Sequence, residues 1–331
     1  MTLAFDDPRG LSLHPATGDR DWGFRELADA PPHVHPQPKR TFYFLLMLPA
    51  IIVLAAITLY PFFWLIYMSL HEVGLGPRPD VWVGLKNYAR LLTDPRYAEG
   101  WWLLARYTFL CLSIEIVLGV LLAVILNRSR YEKALVTLLL MPMMMSPVVA
   151  GLLYYFLFNG TFGWYHWIFE SLGILDGASI LGSPATALYG LVMVDVWQWT
   201  PLIVLITLAG LKRVPQDQLE ASMVDGAGPL QNFFQVSLPN IYPFLLIAVL
   251  LRFMDNVRFI DHFLALTGGG PGNATRILPV YLFDVSFRFF DLGRGGAIAV
   301  TLLAMTIVVG MLLVKVLEDP ATKKTSSPAT D

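Results

Sequence analysis

Six apolar runs, each long enough to cross a bilayer, constrain this chain more than any other feature. They lie at about 42–70, 102–126, 134–158, 186–211, 239–265 and 296–317. A membrane helix needs about 20 mainly apolar residues. In hydrocarbon each backbone N–H and C=O must find a partner, which for runs of this length means a helix. The expected fold class is all-α integral membrane, with six transmembrane helices. Composition agrees: 56% of the 331 residues are hydrophobic and 15% charged, against about 25% charged in a soluble domain. A net charge of -2 gives no case for nucleic-acid binding. The single cysteine, Cys111, falls inside the second run, so no disulfide framework is expected. The first run begins near Thr41, too deep in the chain and too long for a cleaved signal peptide.

These runs divide the chain. Residues 1–40 are polar, with Pro8, Pro15, Pro31, Pro32, Pro36 and Pro38, and are expected to form a disordered tail. The first span occupies 41–71, an extracytoplasmic segment follows at 72–101, the helical core covers 102–317, and 318–331 is a C-terminal tail. Prolines at 49, 61, 142, 147 and 201 fall within spans and mark expected kinks. Six spans put both termini on one side. Lys39-Arg40, Arg128, Arg130, Lys133, Lys212-Arg213 and the Lys315–Lys324 end then share it, whereas 159–185 has no Lys or Arg. Arg78, Lys86, Arg90 and Arg96, with three arginines in 266–295, run against this bias. Excess Lys and Arg mark the cytoplasmic side. The expectation is a multi-pass protein of a cytoplasmic (inner) membrane with both termini, and the loop 212–238, inside.

That loop is unusually polar and broken. "PQDQLEASMV" opens with proline and early acids, as helix starts do. "DGAGP" is a breaker cluster, and "LQNFFQV" resumes before Leu238-Pro239. The pattern predicts two short helices around a turn over 216–236. Leu219, Met223 and Val224 form one apolar ridge, and Phe233 and Phe234 another. Such a pair is built either to fit a groove in another protein or to pack on its own bundle. Gly226 permits positive φ at the turn. Ala221 and Ser222 are small enough for close backbone approach. Glu220 can bond a basic group on a partner, and Asp225 can cap the turn.

Glu220-Ala221-Ser222, then Asp225-Gly226-Ala227, Phe233 and Leu238-Pro239 resemble the "EAA" signature of permease subunits in binding-protein-dependent ABC importers. Ser222 stands where a third alanine is usual and Val236 where isoleucine is usual. "PFFWLIYMSL" with "WVGLKNYARLLTDPRY", "WQWTPLIVLITLAGLKRVPQDQLEA" and "LTGGGPGNAT" resemble the first permease subunit of the carbohydrate-uptake branch. The likeness covers about residues 42–315. It implies an ABC transmembrane type-1 permease whose 212–238 loop is a cytoplasmic coupling helix seated in an ATPase. It also implies the partners: a second permease subunit in a heterodimer, two ABC ATPase subunits and an extracytoplasmic solute-binding protein. ATP and Mg would reside on the ATPase, and this chain would hold no cofactor and no metal.

The residues themselves limit other chemistry. "GGGPGN" lacks the Lys-Ser/Thr ending of a phosphate-binding loop and follows a span, so it reads as a flexible outer turn. No nucleophile–base pair or metal set supports an enzyme. Charged residues within spans are costly and face the bundle interior or water. On a continuous fifth helix, Arg252, Asp255, Asn256, Arg258 and His262 share one arc, with Phe253, Val257, Ile260 and Leu264 opposite and Asp261 outside it. That face lines a solute path, or else it is a closed set of ion pairs, Arg252 with Asp255 and Arg258 with Asp261 or His262. Glu115 and Asp195 are lone acids in other spans, suited to structural hydrogen bonds or to transport. Trp197 and Trp199 can stack on a sugar ring or sit at a membrane interface.

The reading is a permease subunit of an ATP-driven importer that moves a sugar or sugar-like solute by alternating access, with no covalent chemistry of its own. The rivals are the same architecture importing a polyol, glycerol or glycerol phosphate, and, from another class, an ion-coupled secondary transporter using the charged fifth span.

Overall fold

The structure, a computed structural model, describes residues 40–73, 79–175, 177 and 179–325. The expected disordered tail, Arg40 apart, and residues 326–331 lie outside the described residues. The chain divides into two compact units, one ending at Leu59 and the other beginning at Tyr60. The first unit, from Arg40, is helical, and Phe44, Leu45, Leu46 and Leu54 are exposed on it.

The second unit begins within the same helix, α1 (Arg40–Ser69). A short hairpin, β1 (His71–Glu72) with β2 (Val81–Trp82), leads to α2 (Lys86–Leu92). Asn87 ties this segment down by donating to the carbonyls of Ser69 and His71, each at 3.0 Å. Helix α3 (Pro95–Asn127) starts seven residues before the expected span. Asp94 caps it by accepting from the Arg96 N–H at 2.9 Å, and Pro95 opens its first turn. Asp94 also accepts from Tyr281 at 2.5 Å and from Arg294 at 3.0 Å. Burial pushes the Tyr281 phenol up to about 12, so it remains the donor.

The run expected as a third straight span is broken. Residues Glu132–Met144, containing α4 (Glu132–Leu140), and α5 (Pro147–Leu157) meet at 91°. The cause lies in Pro147, which lacks an N–H and forces the residue before it out of the helical region. Met145 and Ser146 are accordingly extended, with ψ of 144° and 135°. After α6 (Trp164–Ser171) comes α7 (Ala187–Leu211), whose apolar window is 67% buried against 28% or less in every other candidate span. The core is therefore assembled around α7. Helix α3 comes close to it at Gly119, where a Cβ would lie 2.5 Å from Ile203, so only glycine permits this approach.

The polar loop holds α8 (Gln216–Val224) and α9 (Pro229–Asn232), and a π-turn over Phe233–Ser237 leads into α10 (Leu238–Arg258). The fifth run was expected to be one helix to 265. Instead Phe259 is extended (φ −80°, ψ 124°), and α11 (Asp261–Leu266) starts afresh. No proline or glycine marks this break. Asp261 at the new first turn favours the restart through the helix dipole. The glycine-rich turn 267–275, expected to be flexible, is closed on itself. Thr275 bonds Thr267 at 2.8 Å and the Gly270 carbonyl at 2.7 Å, and it is fully buried. Helix α12 (Leu278–Phe283) precedes α13, which runs Leu292–Thr325. Part of the segment expected as a C-terminal tail is thus helical. Among the described residues, five helices are long and apolar enough to cross a membrane, or six if the bent pair is one span.

Two apolar clusters fill the unit. One, near the 212–238 loop, holds Ala123, Val204, Leu208, Ile241 and Leu245. The other holds Leu104, Tyr107, Leu191, Val257, Phe263 and Tyr281. On α3, α7 and α10 alike, buried polar residues lie near the junction of the two clusters: Glu115, Asp195 with Gln198, and Arg252 with Asn256.

Candidate functional site

The loop at one end of the bundle forms the expected helix–turn–helix. Asp225 donates its backbone N–H to the Ala221 carbonyl at 3.0 Å, Gly226 to Met223 at 3.1 Å and Ala227 to Ser222 at 2.9 Å. These bonds satisfy the last carbonyls of α8, and they require Gly226 at φ +82°. Open space surrounds Gly226, so its backbone conformation, not crowding, selects glycine. Asp225 closes the turn through its backbone.

The apolar residues here do not form the two ridges expected. Leu219 and Phe233 turn inward, with Val236 and Leu238, against the loop-end cluster. Met223, Val224, Leu230 and Phe234 point outward, 59%, 87%, 76% and 60% exposed. Glu220 is exposed and makes no ion pair among the described residues. Pro239 is exposed too, at the first turn of α10. Asn240 of α10 donates to Gln218 at 3.0 Å, and Lys212 pairs with Glu132.

The polar layer is held by one guanidinium. Arg252, 1% exposed, donates to both oxygens of Glu115 at 2.8 and 2.6 Å and to Asp195 at 2.6 Å. Its guanidinium carbon also lies 5.1 Å from the centre of the Trp199 ring. The pairing expected from the sequence, Arg252 with Asp255, is therefore incorrect. Packing of α3 and α7 on α10 brings the two lone acids to the buried cation, while Asp255, half-buried, turns to Arg258. Arg258 pairs with Asp255 at 2.6 Å, not with Asp261 or His262. The acids of α3 and α7 are the partners the sequence reading missed. The available signal was one arginine and two unpaired acids in spans where no charge survives alone.

Gln198 connects the two broken runs. It donates to the Met145 carbonyl at 2.8 Å, at the bend before α5, and its Oε1 accepts from His262 Nε2 of α11 at 2.8 Å. Non-helical backbone at membrane depth needs such partners.

The single polar arc is also corrected, because the break at Phe259 ends the helical register. Arg252, Asn256 and His262 are buried in the layer, Val257 is buried as well, and Arg258 has 79% of its side chain exposed. Asp255 and Arg258 instead line a cavity of about 420 Å³ with Trp199, Phe259, Ile260 and Asp261. Asp261, placed outside the arc by helical periodicity, is thus brought in by the break. Trp197 is not part of this wall. It packs edge-to-face on Tyr154 at 5.1 Å within the core. An adjoining hollow of about 490 Å³ is walled by apolar residues such as Met254, Leu282, Phe283 and Leu302. Aromatic faces, carboxylates and a guanidinium around one space suit a polyhydroxylated solute, which presents both C–H faces and hydroxyls.

Several known proteins resemble this chain, some in sequence and some in fold. The trehalose/maltose transport system permease protein MalF of Thermococcus litoralis is 32% identical over 275 residues, 82% of this chain and 92% of that one. The trehalose transport system permease protein SugA of Mycobacterium tuberculosis is 33% identical over 283 residues, 84% of this chain and 89% of that one. A crystal structure of a bacterial ABC transporter involved in the import of the acidic polysaccharide alginate superposes with a TM-score of 0.73 at 18% identity. It covers 85% of this chain and 96% of that one, a likeness of fold. Residues 115–324 match the family described as binding-protein-dependent transport system inner membrane component. The chain belongs to that family, the permease subunits of ABC importers.

Proposed function

We propose that this subunit carries a sugar or sugar-like solute across the cytoplasmic membrane by alternating access, driven by ATP hydrolysis on separate partner subunits. A second permease, two ATPases and an extracytoplasmic solute-binding protein complete the machine. The observation that carries the coupling role is the outward set of Met223, Val224, Leu230 and Phe234 beside an exposed Glu220 that makes no ion pair among the described residues. Exposed apolar side chains grouped on a helical turn mark an interaction surface. The names of relatives that transport trehalose or maltose support the sugar class.

Motion has a material route from that surface. Leu219, Phe233, Val236 and Leu238 pack on residues of α3, α7 and α10, so displacement of the loop moves those helices with it. Beyond the loop-end cluster the same helices carry the polar layer, and Trp199 joins the layer to the cavity. The breaks at Met145–Ser146 and Phe259 are where relative rotation of the segments is absorbed.

The test is uptake of trehalose and maltose into proteoliposomes containing the full complex, with binding protein outside and ATP inside. Uptake should require both and should persist when proton and sodium gradients are collapsed. Uptake that follows a proton or sodium gradient without ATP would establish the secondary-transporter reading instead.

A further inference from the structure

Relatives and neighbours of this fold are named for neutral disaccharides and for an acidic polysaccharide alike, so family membership leaves the charge of the solute open. We propose that the cavity between α7 and the break after α10 takes neutral polyhydroxylated solutes and excludes anionic ones. This rests on the reading of that cavity as a place the solute occupies.

Arg258 is the one cation on the cavity wall among the described residues, and Asp255 holds it at 2.6 Å. Asp261, on the same wall, has no ion pair or hydrogen bond among the described residues. Behind Trp199 stands Arg252, whose charge is met by both Glu115 and Asp195. The described cavity wall thus presents two carboxylates against one guanidinium, an excess of one negative charge, and both that guanidinium and Arg252 behind it are already paired. A carboxylate, phosphate or sulfonate entering here would shed water and meet an excess of negative charge, since the wall guanidinium is already paired with Asp255. One excess negative charge about 8 Å away, at an effective dielectric constant of about 20, weakens anion binding roughly 30-fold. A neutral sugar meets no such penalty. Its hydroxyls donate to Asp261 and to the Asp255 oxygen that Arg258 leaves unbonded, and its C–H face lies against Trp199 and Phe259.

The experiment is equilibrium binding at pH 7 to the whole transporter in nanodiscs, without the binding protein, whose own selectivity would otherwise intrude. Trehalose and maltose are the neutral probes, and maltobionate is the anionic counterpart of maltose. Maltose should bind at least about tenfold more tightly than maltobionate. Asp261→Asn should narrow that gap to within about threefold. Asp255→Asn, which removes the same unit of charge from the wall, should narrow it likewise. Asp255→Glu keeps the ion pair and should keep the gap. Maltobionate binding to the wild type as tightly as maltose overturns the exclusion, and so does a gap unmoved by both Asn variants. If none of the three probes binds the wild-type complex, or if Trp199→Ala leaves every affinity unchanged, the reading of the cavity as the solute's place fails instead.

Discussion

A guanidinium with 1% of its surface exposed between membrane helices persists only because two carboxylates meet it. Arg252→Met strands both acids and is expected to destabilise the subunit by about 3–5 kcal/mol, the usual result of breaking a buried pair from one side. The triple change Glu115→Gln, Asp195→Asn and Arg252→Met removes all three charges together and should recover most of that loss. Thermal unfolding of the purified complex checks both, and a triple variant no more stable than the single one would refute the triad's account. Gly226 makes a different demand. Its φ of +82° is closed to β-branched residues but open to asparagine. Gly226→Val should therefore abolish uptake at normal membrane abundance, with Gly226→Asn retaining most of it. Glu220→Lys should lower solute-stimulated ATPase activity while leaving the thermal unfolding temperature unchanged, since the side chain is exposed and makes no ion pair among the described residues.

At the scale of elements, the two broken runs behave as a linked pair. Gln198 bonds the Met145 carbonyl before α5 and the His262 ring at the start of α11. Gln198→Leu leaves a part-buried carbonyl and a buried imidazole N–H without partners, the latter a loss of about 1–3 kcal/mol. Beyond that loss, the variant should uncouple the two segments, so that ATP hydrolysis proceeds with little uptake. A lowered uptake-to-hydrolysis ratio, compared with Gln198→Glu, which preserves the acceptor, is the measurement. Equal ratios in the wild type and both variants would show that the link is only structural.

For the whole molecule, alternating access predicts where water reaches during the cycle. With Cys111 changed to Ala, a cysteine at Ile260 on the cavity wall should react with a membrane-impermeant thiol reagent in at least one nucleotide state. A cysteine at Leu191, fully buried in the core cluster, should stay silent in all states. Asn256 is the informative intermediate. It is fully buried here, with both amide atoms unbonded, so labelling confined to another state would show that the polar layer opens. Silence at both Ile260 and Asn256 throughout an active cycle would remove the cavity from the route.

The sequence by itself determined the class of fold, the loop and the family. Runs of about 20 apolar residues have few alternatives to helices, and the Glu220–Pro239 pattern is local, set by neighbours in the chain. Gly226 could be read from its turn because a backbone conformation belongs to one residue and its immediate context. The bend at Met145–Ser146 was half legible, since Pro147 announces a break without fixing its 91° angle. The break at Phe259 was not legible, because no proline or glycine marks it and Gln198 of α7, which holds the His262 ring just beyond it, lies 64 residues away. Nor were the charge partners of Arg252, which lie 137 and 57 residues away. Periodicity extrapolated one helix through 252–262, joined residues that belong to a buried layer and to a cavity wall, and left Asp261 out. Only the packing of α3, α7 and α10 decided which acids meet which arginine, because a buried charge selects its partner by proximity in three dimensions, and sequence spacing does not encode that distance.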